Sequence, residues 1–182
     1  LKPLQQMSQQ AQRMENMLKD LLWLSRIESE TRTDHRELVD IRGMLQELRD
    51  ELAEAYPESI VVLDLDTELS IHGDYRQLYS AVSNLAINAI KYSRPGSPVT
   101  LRWHAQDDNC LLQVQDEGIG IDPVHIPRLT ERFYRVDDSR NSATGGTGLG
   151  LAIVKHVAVA HDAHLQIESK PGHGSTFTLV FP

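Results

Sequence analysis

The sequence predicts an α/β sandwich, a mixed β-sheet with helices on one face, preceded by a separate coiled-coil-like helix. Two observations predict the sandwich. Strand-like and helix-like runs interleave between residues 37 and 182, and two adjacent strand runs read as a hairpin, which disfavours a doubly wound parallel sheet. A third predicts the leading helix: Leu4, Met7, Ala11, Met14, Leu18 and Leu21 step by three and four in turn, the a/d stripe of a helix that seeks a partner helix.

Pro3 suits the first turn of that helix, and its stripe widens to Leu22, Leu24 and Ile27 before the polar run "ESETRTDHRE". The chain therefore divides into a helix over 1–29, a linker over 30–36 and the sandwich over 37–182. Within the sandwich, "LVDI" reads as a short strand and "RGMLQELRDELAEAY" as an amphipathic helix stopped by Pro57. "SIVVLDLD" and "LSIHG" read as strands. Asp74 caps the next helix, "DYRQLYSAVSNLAINAIKYS", which Pro95 and Gly96 close. "PVTLRWHA" and "CLLQVQDEG" form the hairpin, and "LGLAIVKHVAVAH" as helix, then "LQIES" and "STFTLVF" as strands, complete the order. No repeat or low-complexity segment interrupts it.

A formal net charge of -8 disfavours a general nucleic-acid surface. The single cysteine, Cys110, cannot form an intrachain disulfide and reads as a small strand residue. No apolar run approaches the roughly 18 residues of a membrane span. The chain opens at Leu1, so a membrane part is expected only through regions outside it.

The chemistry concentrates in four places. Asn84, Asn88, Lys91 and Tyr92 follow one another at helical spacing and share one side of their helix. Amide oxygens of this kind are hard ligands that suit Mg²⁺ beside phosphate, and a lysine adds a point charge for the same phosphates; a solvated helix face is the plainer alternative. "QVQDEGIGID" holds Asp116 at a strand end, with Gly118 and Gly120 turning the chain beside it. A carboxylate only accepts hydrogen bonds and would suit an exocyclic amino group, though such a turn can equally be just a turn. From Ile121 to Thr147 little period survives, as in a lid; its "ERFYRVDDSR" offers Phe133 and Tyr134 as anchors, or as simple core packing, and Arg135, with Arg132 as the second choice, to reach a phosphate. Finally "NSATGGTGLGLAIVKHVAVA" puts glycines before a helix. It lacks the lysine of a P-loop, and Leu151 stands where a dinucleotide fingerprint needs glycine. What remains is the physics those motifs share, backbone N–H groups at a helix start brought close to an anion by Gly146, Gly148 and Gly150.

In order along the chain, "NLAINAIKYS", "DEGIGI", "RFYR", "GGTGLGL" and "GHGSTF" resemble the N, G1, F and G2 boxes and the last glycine motif of sensor histidine kinases, which share the Bergerat ATP-binding fold. The resemblance covers roughly Leu4 to Phe181, and "IPRLTERFYRVD" and "GLGLAIVKH" are particularly similar to the phosphate-regulon members. It implies ATP and Mg²⁺ as cofactors: Asn88 on the metal, Asn84, Lys91 and Arg135 near the phosphates with Tyr92 beside them, Asp116 on adenine with Gly118 and Gly120, and Gly146, Thr147, Gly148, Leu149 and Gly150 around the triphosphate, with Ser175 at the small-hydroxyl position. Asn84, Lys91 and Arg135 would carry the catalysis. The implied partners are the phosphoacceptor histidine helix, a homodimer partner and a response regulator, at the cytoplasmic part of an inner-membrane sensor.

The chain departs from the family in two ways. None of its eight histidines sits in the phosphoacceptor motif, so the opening helix matches the second helix of the dimerisation hairpin, and the first is expected upstream. "HDA" at His161–Ala163 stands where many relatives have His-Gly-Gly, a change expected to alter only a turn. The rival is an ATP hydrolase of the gyrase or chaperone kind, in which a Glu activates water; that position is Asn84, and an amide is no base near neutral pH. A catalytically silent nucleotide-binding module is the other alternative.

Overall fold

A computed structural model describes residues 2–29, 35–136 and 146–182; most of the expected linker, and residues 137–145 of the expected lid, lie outside the described residues. The elements are α1 (Lys2–Ser29), β1 (Glu37–Val39), α2 (Ile41–Ala55), β2 (Ile60–Leu65), β3 (Ile71–Gly73), α3 (Tyr75–Tyr92), β4 (Pro98–Gln106), β5 (Asn109–Asp116), α4 (Gly150–Ala160), β6 (His164–Lys170) and β7 (Gly174–Phe181), with a 3₁₀ turn at Ile126–Arg128.

Five strands form one mixed sheet in the order β2-β4-β5-β7-β6, with β2 parallel to β4 and every other pair antiparallel. The expected single sheet is accompanied by a separate antiparallel ribbon of β1 and β3. The "LVDI" strand also stops sooner than expected. Asp40 leaves the strand to cap α2, its Oδ1 accepting from Gly43 N at 3.1 Å, which satisfies an otherwise orphaned helix donor. Asp74 caps α3 in the same way, accepting from Gln77 N at 3.1 Å.

Strand alternation decides what each face of the sheet carries. Two rows on the helix side are apolar, Leu63–Leu101–Val114–Phe177–Ile167 and Leu65–Trp103–Leu112–Leu179–Leu165. They pack with Met44, Leu45 and Leu48 of α2, Leu78, Val82 and Leu85 of α3, and Ile153 and Val157 of α4 in one core. The next row on that side, Val99–Asp116–Ser175–Ser169, turns polar at its middle. The opposite face is polar: Arg102 Nε pairs with Asp64 Oδ2 at 2.6 Å, and Gln113 Nε2 donates to Thr178 Oγ1 at 3.0 Å.

Helix α1 is two-faced. Leu24 and Ile27 are buried in the common core, and Trp23 Nε1 donates to Ser80 Oγ of α3 at 2.9 Å. The stripe residues Leu4, Met7, Met14 and Leu18, with Leu22, stay exposed. Ahead of the Asp162–Ala163 departure, the shared His161 is buried, and its Nε2 accepts from Asp74 N at 3.0 Å, tying the end of α4 to the cap of α3. Asp162 adopts φ 56°, a left-handed conformation that aspartate tolerates better than most residues.

Candidate functional site

The polar end of the Asp116 row opens into a cavity of about 440 Å³, a size for a small-molecule ligand. One wall is α3, and all four expected residues, Asn84, Asn88, Lys91 and Tyr92, line it. Asn84 Nδ2 donates to Ser80 O one turn back at 2.8 Å, which fixes its amide orientation and turns Oδ1 toward the start of α4.

The floor is the sheet. Asp116 and Ser175, cross-strand partners, line the cavity together with Phe177. Asp116 is buried, and Gly118 N donates to its Oδ1 at 2.8 Å. Burial pushes its pKa above the ordinary carboxylate value, while N–H groups of Gly118 and Ser175 pull it down. Gly118 itself does not line the cavity. Its role is steric: a Cβ there would stand 2.1 Å from Tyr92 O, so glycine lets the turn after β5 pass under the end of α3.

The far wall joins residues on either side of the undescribed stretch. Gly120, Tyr134 and Arg135 line it from the first side, and Gly146, Thr147, Gly148 and Gly150 from the second. Gly148 adopts φ 77°, and a Cβ there would meet Phe133 Cα at 2.8 Å. A Cβ on Gly150 would meet Asn84 Oδ1 at 2.7 Å. Gly146 has nothing within 4 Å of its Cβ position among the described residues, so packing against them does not require glycine there. Leu149, expected beside the triphosphate, sends its side chain into the core and does not line the cavity. Phe133, expected as an anchor or as core packing, is instead 53% exposed. Tyr134 is the anchor, its hydroxyl 2.7 Å from His125 Nδ1 and its ring 4.3 Å beneath the Arg128 guanidinium.

Electrostatically the cavity has two ends. Burial lowers the pKa of Lys91, the charge of Asp20 raises it, and Arg135 lowers it again. Two cations thus crowd the end near the glycine turn, and a buried carboxylate sits at the sheet end. Apolar residues between them, Ile87, Ile119, Ile121, Leu151 and Phe177, were not singled out from the sequence, because core and cavity aliphatics share one periodicity. Asn16, Lys19 and Asp20 of α1 also line the cavity. No local pattern signals them, since their place depends on how α1 docks.

Residues 73–182 match the family model described as histidine kinase-, DNA gyrase B-, and HSP90-like ATPase. The chain belongs to this family. Within it, the chain is an ATP-binding catalytic domain of the sensor histidine kinase type. It is 48% identical to the phosphate regulon sensor protein PhoR of Pseudomonas aeruginosa over 183 residues, covering 100% of the chain and 41% of that protein. It is 42% identical to PhoR of Haemophilus influenzae over 97% of the chain and 41% of the relative. The chain therefore spans about two fifths of the length of these curated relatives. Among solved structures, the mycobacterial sensor histidine kinase MprB is similar with TM-score 0.71 and 29% identity, over 81% of this chain and 97% of that one. Full-length ShkA in complex with AMPPNP is similar with TM-score 0.78 and 26% identity, over 92% and 35%.

Proposed function

We propose that this histidine kinase-type domain binds Mg²⁺-ATP across the cavity and transfers the γ-phosphate to a histidine carried on a dimerisation helix outside this chain. The observation that carries the reading is the two-ended cavity, with the buried acceptor Asp116 at one end and Lys91, Arg135 and the glycine turn at the other. Adenine fits the first end, where its amino group donates to Asp116 and its flat ring lies among the aliphatics. The triphosphate fits the second. The donor set also suits Mg²⁺: Asn88 would hold it through a neutral amide oxygen with phosphate oxygens completing the shell, and the ion would supply charge neutralisation.

In the transfer, an imidazole nitrogen attacks the γ-phosphorus in line while the bond to the bridging oxygen of ADP breaks. The chain's contribution is position and charge. Lys91 and Arg135 offset charge on the phosphoryl oxygens, and Asn84, oriented by Ser80, holds the phosphate end. Water activation is poorly served here, because the side chain of Asn84 has no basic atom near neutral pH and its Nδ2 is committed to Ser80. That disfavours the hydrolase reading. The likeness to PhoR supports a place in phosphate-starvation signalling, with a homodimer partner, a response regulator and an inner-membrane sensor region beyond this chain.

The test mixes the chain with labelled ATP, Mg²⁺ and a separately made dimerisation hairpin from the full-length parent. The expected result is acid-labile, base-stable label on the hairpin and none on the chain, whose histidines all lie outside the phosphoacceptor pattern. ATP binding without label on the hairpin would favour the silent module.

A further inference from the structure

The phosphate end of the cavity holds an acid that the transfer does not use. Asp20 of α1 lines the cavity, and its Oδ2 accepts from Thr147 Oγ1 at 2.7 Å. That hydroxyl in turn accepts from Leu149 N at 3.3 Å, so its own proton is committed to Asp20. A chain of donors therefore runs from the backbone at the entrance of α4 to a carboxylate. Lys91 feels the same negative charge. Asp20 thus offers the cation and the glycine turn the kind of anion that a triphosphate would offer.

We propose that Asp20 is a built-in competitor of the nucleotide's phosphates, so that docking of α1 and binding of the triphosphate oppose each other. The inference rests on the nucleotide reading of the cavity. It gives α1 a second role besides pairing with other helices, because its position sets how readily the site accepts ATP. Occupied by a triphosphate, the same site places like charge against Asp20 and pushes α1 away. The other contacts that hold α1 lie apart from the phosphates: Leu24 and Ile27 in the core, Trp23 on Ser80, and Glu28 paired with Arg132 and 3.2 Å from His156 Nε2. Removing the charge of Asp20 alone therefore leaves α1 docked.

Trp23 reports the docking. It is half-buried on α1, whereas Trp103, the other tryptophan, is fully buried in the core with Nε1 bonded to Leu69 O. The experiment titrates Mg²⁺ and AMPPNP into the wild-type chain and into Asp20→Asn, which keeps an acceptor for Thr147 but no charge. Affinity is read by calorimetry and Trp23 emission in parallel, with Trp23→Phe to assign the signal. Without nucleotide, both chains should show the same emission. Nucleotide should shift Trp23 to the red in the wild type and less in Asp20→Asn, which should bind about fivefold or more tightly. Glu54→Gln, an exposed charge on α2, should leave affinity unchanged. Equal affinity in wild type and Asp20→Asn, an unmoved Trp23 at saturation, or the same gain in Glu54→Gln would overturn the competition. Absence of binding in every chain would instead overturn the nucleotide reading itself, and the competition with it.

Discussion

His161 shows how one buried side chain can fix both a protonation state and a junction between elements. Its Nδ1 lies 2.7 Å from Val157 O, and a carbonyl only accepts, so Nδ1 carries the proton and Nε2 is left to accept from Asp74 N. A second proton would remove that acceptor. Burial lowers its pKa below the ordinary value, Val157 O opposes, and the charge of Arg36 lowers it further. The unfolded chain, with a histidine near the usual value of about 6.5, therefore takes up a proton first as the pH falls. The contribution to stability is complete above about pH 6.5 and is lost as the pH falls from there through the folded value. His161→Ala should cost about 2 kcal/mol at pH 7.5 by urea unfolding, for the Asp74 N–H is left buried without a partner. The variant should also lose less stability than the wild type between pH 7.5 and 5.5, and an equal loss in both would contradict the assignment. The sequence could not reveal this role. "HDA" looks like a turn locally, and only the fold brings residue 161 to residue 74.

Among the elements, α1 was the most legible in period and the least legible in partners. The three-four stepping of its apolar residues predicts a helix, and Lys2–Ser29 is one. The stepping does not say that the stripe divides, with its late residues Leu24 and Ile27 in the core and Leu18 and Leu22, 59% and 71% exposed, facing outward. The exposed part is continuous over Leu4, Met7, Met14, Leu18 and Leu22, an apolar surface of the kind that drives association. The chain should therefore self-associate irregularly, giving a broad, concentration-dependent distribution in sedimentation velocity. Leu18→Glu combined with Leu22→Glu should narrow it to monomer. A clean wild-type monomer with α1 ordered would count against this. The strands fared differently, because alternation is a short-range property. The β4–β5 hairpin and β7 fall close to where their patterns put them, whereas the end of β1 shifts because Asp40 serves α2 as a cap.

At the scale of the whole molecule, the site is a product of register. Counting by two along β5 puts Leu112 and Val114 in the core and Asp116 at the rim of the same face, and pairing with β7 sets Ser175 beside it. Helix α3 then lays Asn84, Asn88, Lys91 and Tyr92 along the adjoining wall. Asp116 and the four α3 residues were legible as candidates, because polar groups at helical spacing or at a strand end break the local apolar pattern, whereas Ser175 came only with the family resemblance. The aliphatic lining and the α1 residues were not, since one resembles core and the other depends on docking. A cavity that holds ATP with its base at Asp116 must discriminate between purine nucleotides. Calorimetry with Mg²⁺-ATP and Mg²⁺-GTP on the wild type and Asp116→Ala tests it most directly. The wild type should bind ATP at least about tenfold more tightly than GTP, and Asp116→Ala should lose most of this preference while staying folded. Equal affinity of the wild type for both nucleotides, or an undiminished preference in Asp116→Ala, would contradict it.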